Sequence, residues 1–299
     1  MSRGGSQGRR RWAAPGAALV VACALAVPAR ADVAVLTQRE VPQYARVVDG
    51  LRAAGGQPLV IDVGDVSALE AFLAHPPAVV VAVGGRAFEV ARARALRSAI
   101  VAAAVLNPER GTRKDVTAVP FAARPSDTLD ALSALAPDAR RVVAIHAPEA
   151  SALAAELKAL ALRRGLELDL ETAGEVASFR WLFLGALQRH DAVWLLPDPR
   201  LAAPELARFM AQACLERHIA LAGFLDGMAR AGALFAVAPD LETIGREAAR
   251  LAADLDARPA ADRSGVPFRY AAGRLYVNDR TRSALRLGGA LPVKAEVIK

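Results

Sequence analysis

Cysteine and histidine are scarce in this 299-residue chain, which contains two cysteines and four histidines. Two thiols exclude a disulfide-rich scaffold and a four-cysteine zinc site. The histidines have no metal-ligand spacing to one another or to acidic residues, so we expect no metal ion and no cofactor. Cys214 lies in an apolar helical pattern, which predicts a buried and unreactive thiol.

Signature motifs of the common α/β enzymes are also missing. The chain has no G-x-S-x-G elbow and no G-x-x-x-x-G-K-[ST] phosphate loop. Thr37-Gln38-Arg39-Glu40 follows the first predicted strand, where a G-x-G-x-x-G dinucleotide motif would begin. We therefore expect no catalytic residues, and these absences together favour a binding protein over an enzyme.

The first 31 residues have the layout of a secretory signal. A basic segment that includes Arg9–Arg11 precedes an apolar stretch from Ala13 to Val27, which is shorter than the roughly 20 residues of a transmembrane helix. Ala29-Arg30-Ala31 is a small-x-small cleavage site. We expect cleavage after Ala31 and export to the periplasm or cell envelope. Lipidation at Cys23 and a retained membrane anchor are the alternatives.

The basic excess of the chain is concentrated in this segment. The formal net charge is +7, from 38 basic and 31 acidic residues, and residues 1–31 contain five arginines and no acidic residue. The remainder therefore has 33 basic and 31 acidic residues, a net charge of +2. A charge so close to neutrality gives no electrostatic footprint for nucleic acid, which we do not expect as a partner.

Short valine-rich segments alternate with longer helical patterns from Ala34 onward. The segment Ala78–Val83 is wholly apolar, as in a parallel strand that is buried on both faces. The polar residues 109–127 predict a crossover, after which the alternation begins again. The pattern predicts an α/β fold of two Rossmann-like lobes, with parallel sheets flanked by helices and a tail that crosses between the lobes.

Ligands of open parallel sheets bind outside the carboxyl ends of the strands, and this rule selects the candidate residues. Gly84 and Gly85 lie between a strand and a helix N-terminus. Either the free backbone N–H groups there bind a carboxylate or phosphate of a ligand, or the two glycines form only a tight turn. Asp198 binds a ligand amine or caps the next helix. Tyr44 stacks over a ligand or packs at the lobe edge. The predicted ligand-binding residues are Thr37, Gln38, Tyr44, Gly84, Gly85, Asn107, His146, Glu149, Asp198 and Asp226.

Several segments have the order and spacing of one protein family. They include Val33-Ala34-Val35-Leu36, Ala82-Val83-Gly84-Gly85-Arg86-Ala87, Val101 to Pro108, Asp191-Ala192-Val193-Trp194, and Leu275-Tyr276-Val277-Asn278. Over residues 33–298 the chain resembles the substrate-binding proteins of ABC transporters that have the type I periplasmic-binding fold. The resemblance implies two lobes, joined by a multi-crossover hinge, that close on a small-molecule solute and deliver it to a membrane permease.

The domain organisation that we expect is a signal peptide at residues 1–31, a first lobe at 32–120 plus 239–299, and a second lobe at 121–238. The expected function is the exported, monomeric solute-binding component of an ABC-type uptake system, with a permease of the inner membrane as partner. Two alternatives stay open. One is a ligand-sensing or accessory periplasmic protein without a transport role, and the other is an α/β enzyme that uses His146 with Glu149 or Asp198.

Overall fold

The computed structural model of the chain describes Met1 and residues 33–106, 108, 113–146, 148 and 151–299. Within these residues, strands and helices alternate and form two separate sheets, each flanked by helices. This arrangement confirms the predicted α/β fold. Among the described helices, none combines the length and the apolar character that crossing a bilayer requires.

The first sheet has five parallel strands in the order β2-β1-β3-β4-β5. Its strands are β1 Ala34–Thr37, β2 Leu59–Asp62, β3 Val79–Val83, β4 Ala99–Ala103 and β5 Val116–Val119. Its helices are α1 Pro42–Ala53, α2 Val66–Ala74 and α3 Gly85–Arg94. Every residue of β3 and β4 is buried because helices cover both faces, which explains their uniformly apolar sequences.

The second sheet has seven described strands in the order β12-β11-β10-β9-β8-β6-β7. The strands are β6 Arg141–His146, β7 Glu167–Thr172, β8 Ala192–Leu195, β9 Ala220–Gly223, β10 Phe235–Pro239, β11 Gly273–Asn278 and β12 Glu296–Ile298. The helices of this lobe are α4 Pro125–Leu135, α5 Ser151–Leu162, α6 Val176–Ala186, α7 Pro204–Glu216, α8 Asp226–Arg230 and α10 Asp279–Leu285. All pairings are parallel except that of β10 with β11.

Two sequence-based assignments differ from this topology. β5 lies inside residues 109–127, which were predicted as a crossover, but it pairs with β4 along its whole length. The tail was assigned to the first lobe, and only its helix α9, Leu241–Asp256, packs there. β11 and β12 join the second sheet, because Phe235 of β10 pairs with Val277 of β11. A strand pattern in a sequence does not identify the strand that it will pair with.

The chain passes between the two sheets three times, and the three crossovers meet at Gly273. The first and third crossovers are joined where Arg124 N–H donates to the Ala271 carbonyl oxygen at 2.9 Å. A Cβ placed on Gly273 would lie 2.6 Å from Ala123 Cβ and 2.5 Å from Val237 Cγ1. Only glycine allows the three chain segments to come this close, so position 273 fixes the geometry of the predicted multi-crossover hinge.

Asp240 ties the second crossover to α9 and to β11, the strand that follows the third crossover. Its Oδ1 accepts a hydrogen bond from Thr243 N–H at 2.8 Å and caps α9, and its Oδ2 accepts one from Arg274 Nε at 2.5 Å. Burial raises the pKa of the Asp240 carboxyl, but the hydrogen bonds from Thr243 and Arg274 lower it by more than burial raises it. The pKa of Asp240 therefore lies below the usual value of an aspartate. The carboxylate form is therefore the one that the fold stabilises.

Replacing Asp240 separates its capping role from its charge. Asp240→Ala removes both and should lower the free energy of unfolding at neutral pH by about 1–2 kcal/mol. Asp240→Asn keeps an acceptor for Thr243 and should cost less. A depressed carboxyl pKa contributes stability above its unfolded value and loses it as the pH falls, so the gap between wild type and Asp240→Asn should shrink below about pH 4. Urea unfolding at neutral and acidic pH measures this, and a gap independent of pH contradicts it.

α9 packs against α1 with backbone touching backbone. A Cβ on Gly245 of α9 would lie 2.0 Å from the Val47 carbonyl oxygen, and a Cβ on Gly50 of α1 would lie 2.1 Å from the Glu242 carbonyl oxygen. Side chains at either position would push the helices apart. The two glycines thus hold the returning helix on the first sheet after the chain has built the second.

Gly245→Ala should therefore destabilise the protein by about 1–3 kcal/mol, because the backbone of α1 has to move away from the added methyl group. Gly185→Ala is the matched control, since Gly185 also lies in a helix and a Cβ there would meet no atom within 4 Å. We expect that control to gain about 0.5–1 kcal/mol from its higher helix propensity. Equal effects at the two glycines in urea unfolding would refute the close contact.

Candidate functional site

The strand order of each sheet reverses once, and this reversal locates the candidate site. In the first sheet β1 lies between β2 and β3, and in the second sheet β6 lies between β7 and β8. The strand order therefore changes direction at β1 and at β6. Ligands of doubly wound sheets bind in the crevice at the carboxyl ends of such strands. The crossovers leave from the carboxyl ends of β5 and β10, so these same ends of both sheets border the hinge.

Thr37 ends β1 at the switch point of the first sheet. Its side chain is on the same face as Val35, the α1 face, because side chains alternate along a strand. The residue is only 3% exposed, and its Oγ1 has no hydrogen-bond partner among the described residues. A buried hydroxyl in this state costs free energy, and a polar group of a solute would recover it.

Gly84 and Gly85 connect β3 to α3 at the same edge. Gly84 has φ +85°, and its N–H donates to the Ala103 carbonyl oxygen at 2.9 Å. A Cβ on Gly84 would lie 2.2 Å from Tyr44 Cζ, so the phenol ring of Tyr44 lies directly against this glycine. Gly85 is exposed with no atom within 4 Å of its Cβ position, and no side chain caps α3. The structure thus brings Thr37, Tyr44, Gly84 and Gly85 to one edge of the sheet, beside uncapped helix N–H groups.

The second lobe presents a different surface. His146 ends β6, is 4% exposed, and has its Nε2 3.3 Å from Thr172 Oγ1 on the paired strand β7. Next to it along the sheet, a narrow cavity of about 20 Å³ opens at the carboxyl ends of β8 and β9. Its lining is largely apolar and comes from both strand ends, two crossovers and the helices α4 and α5; it includes Ala123, Leu157, Trp194, Leu196, Phe224 and Tyr270.

Trp194 and Tyr270 are functional candidates that the sequence analysis missed. Trp194 is buried at the end of β8, and Tyr270 reaches the cavity from the third crossover. Burial and the nearby Glu156 raise the pKa of the Tyr270 phenol to about 12, so it stays protonated and able to donate a hydrogen bond. The position of Trp194 near a strand end could have identified it as a candidate from the sequence. Tyr270 could not have been identified in this way, because its position depends on how the tail crosses back.

Asp198 is held by a neighbour. Its carboxylate caps the 3₁₀ turn Pro199–Leu201 by accepting Arg200 N–H at 2.8 Å, and it forms an ion pair with Arg200 Nη2 at 2.6 Å. Arg200 also donates to the carbonyl oxygens of Ala173 and Gly174. The sequence predicts that Asp198 either binds a ligand amine or caps the next helix. The contacts of Asp198 with described residues are those of a cap.

The other predicted residues are more dispersed. Gln38 donates to Glu40 on the surface at 3.0 Å, and the half-exposed Asp226 pairs with Arg230 at 3.4 Å within α8. Asn107 and Glu149 lie outside the described residues. Within the described part of the chain, no group of three or more His, Cys, Asp or Glu side chains is placed to hold a metal ion. Burial raises the pKa of the Cys214 thiol to about 12, as expected for an unreactive cysteine.

No protein-family model and no curated protein sequence matches the chain. Solved structures match it in fold. A ligand-free, open substrate-binding protein with adhesive properties from Clostridium difficile has a TM-score of 0.61 at 14% identity, over 90% of this chain and 99% of that one. An ABC domain in complex with L-Trp from Streptococcus pneumonia has a TM-score of 0.55 at 18% identity, over 90% and 100%.

A conserved domain protein from Vibrio cholerae has a TM-score of 0.54 at 20% identity, over 90% of this chain and 100% of that one. Identities this low establish likeness of fold. The chain is therefore similar in fold to the substrate-binding protein and the ABC domain named above, with the two-sheet architecture that the type I periplasmic-binding fold implies.

Thr37→Val tests whether the hydroxyl at the first switch point lacks a partner. Valine keeps the branched shape without the polar atom, so the unfolding free energy should rise by about 1 kcal/mol. Thr117→Val is the matched control, because the buried Thr117 donates its Oγ1–H to the Pro267 carbonyl oxygen at 3.0 Å. That control should lose about 1 kcal/mol. Urea unfolding distinguishes the two, and destabilisation by Thr37→Val would show that its hydroxyl is bonded.

Proposed function

We propose that this protein is an exported solute-binding protein that captures a small molecule in the crevice between its two lobes for an ABC-type uptake system. The observation that carries the proposal is the buried hydroxyl of Thr37, which has no partner among the described residues and lies at a sheet switch point next to the N-terminus of α3. This combination suits the recognition of a ligand. The fold likeness to substrate-binding proteins supports the same role.

The first lobe provides the polar half of the proposed site. The N–H groups of the first turn of α3 have no intrahelical partners, and the helix dipole favours negative charge there. Gly85 lets a ligand approach this turn because it has no side chain. Thr37 and Tyr44 add hydroxyl groups at the same edge. A solute with a carboxylate or phosphate end fits this half of the crevice.

The second lobe provides the apolar half. Trp194, Leu196 and Tyr270 at the carboxyl edge of its sheet suit the hydrocarbon part of a solute, and the Trp194 indole N–H and the Tyr270 hydroxyl are the hydrogen-bond donors of these three side chains. Capture would proceed by binding of the charged end to the first lobe, followed by closure about the three crossovers. Closure buries the apolar part of the solute, which contributes most of the binding free energy.

We propose the lobe boundaries and the cellular role on the same basis. The two lobes would be the units that move, with residues 241–256 belonging to the first and residues 273–299 to the second. The leader pattern of residues 1–31 supports export to the periplasm, and a permease of the inner membrane would accept the closed form.

A thermal-shift screen of the purified protein tests the proposal. The compounds are amino acids, small carboxylates and phosphates, short peptides, nucleosides and sugars. A solute at about 100 times its dissociation constant should stabilise the native state by about 2.7 kcal/mol. We expect the stabilising compounds to carry an anionic group and an apolar part. Absence of stabilisation by every class counts against a solute-binding role.

Gly85→Ala locates the site of any solute found. Space for the added methyl is open, so unfolding without solute should change by no more than about 0.5 kcal/mol. The methyl group would occupy the approach to the α3 N–H groups, so affinity should fall at least about tenfold. Gly185→Ala, outside the proposed site, should bind as the wild type does. Isothermal titration measures the solute affinity of both variants. If Gly85→Ala binds the solute as tightly as the wild type, the solute does not bind at the N-terminus of α3.

One observation favours the second candidate function, a sensing or accessory protein without transport. The cavity of the second lobe is only about 20 Å³, which is space for a single water molecule, because the side chains of that lobe and of the crossovers fill it. The enzyme alternative has less support: Asp198, one of the two acids considered for His146, is engaged by Arg200. Solute stabilisation without growth dependence on uptake of that solute would favour the sensing role.

A further inference from the structure

An open groove lies between α6 and α7 on the outer face of the second lobe. Its volume is about 910 Å³, and its lining includes Arg180, Trp181, Leu184, Glu205, Leu206 and Phe209. Trp181 is 79% exposed, although Phe179 and Phe183 of the same helix are buried. An apolar groove with an exposed tryptophan is typical of a surface that is covered by another molecule.

The charges around the groove have both signs. The Arg180 guanidinium lies 4.8 Å from the ring centre of Phe209 and forms no salt bridge among the described residues. Among the described residues Glu205 pairs with Arg208 alone, at 3.1 Å, and its side chain is 79% exposed. An exposed pair of this kind is worth little, so Glu205 is readily available to another cation. Arg200, which forms an ion pair with Asp198, also lines the groove. The groove therefore carries two arginines, an acid and aromatic rings on one surface.

We propose that the α6–α7 groove is a two-fold contact between two copies of this chain. A two-fold axis brings the same surface together from both sides, so an acid and a cation of the patch can pair twice across the axis. Trp181 of each copy would enter the groove of the other, and Arg180 would face Glu205 of the second copy. The sequence, which shows no sign of this surface, predicts a monomer. The proposal does not depend on the solute-binding role.

The size of the groove sets the expected strength of the contact. A stable interface buries about 800 Å² per partner and uses some 20–30 residues on each side. The groove supplies fewer residues than that, so we expect a weak dimer with a dissociation constant between about 10 µM and 1 mM. Insertion of Trp181 into a bilayer would be favourable, but it would bring the Glu205 carboxylate close to anionic headgroups, which repel it.

Sedimentation equilibrium of the full protein from about 1 µM to 1 mM tests the proposal. We expect the mean mass to rise toward that of a dimer, and Trp181→Ser to raise the dissociation constant at least about tenfold. Leu162→Ser is the matched control, since Leu162 is 75% exposed on another helix of the same lobe. It should leave the dimer unchanged. Circular dichroism checks that each variant is folded.

A charge exchange identifies the partner as a second copy. Arg180→Glu and Glu205→Arg should each weaken the dimer, and the double variant should restore it, since the pair across the axis is only reversed. A constant monomer mass, or a dimer insensitive to Trp181→Ser, overturns the proposal. So does a monomer whose tryptophan emission shifts on adding phosphatidylglycerol vesicles. Solute stabilisation in Trp181→Ser is measured separately, so failure here leaves the proposed function standing.

Discussion

The close approach of three chain segments at Gly273 is the constraint on which the rest of the structure depends. Ala123 and Val237 come so near to Gly273 that no side chain fits there. Since the crossovers that meet here leave from the carboxyl ends of β5 and β10, the binding edges of both sheets are brought to the same hinge. A pair of lobes joined by one linker would not fix this relation.

The two sides of the crevice differ in chemistry, and this difference is informative about mechanism. The first lobe offers helix N–H groups and hydroxyls, which act on charge, whereas the second offers Trp194 and Leu196, which act through buried area. Polar contacts on one lobe can orient a solute before closure. In the proposed function, the apolar surface of the other lobe would contribute only when closure expels water, so binding and closure would be coupled.

The features that follow from local rules can be predicted from the sequence. The apolar strand before Gly84 and the rule for carboxyl strand ends place Thr37, Gly84 and Gly85 at one edge without knowledge of the fold. Features that arise from contacts between distant segments cannot be predicted in this way. The side chain that engages Asp198 is two residues away but also binds carbonyl groups of another loop, and the partner of β11 is separated from it by the whole of α9.

Thr37 shows how a site can be recognised without a ligand. A strand that only had to complete the core would end in valine or alanine, as β3 and β4 do. Thr37 is only 3% exposed and its hydroxyl has no partner among the described residues, a state that costs free energy. A buried polar group without a partner in the isolated fold needs an explanation, and the proposed solute-binding role supplies one for the first-lobe edge.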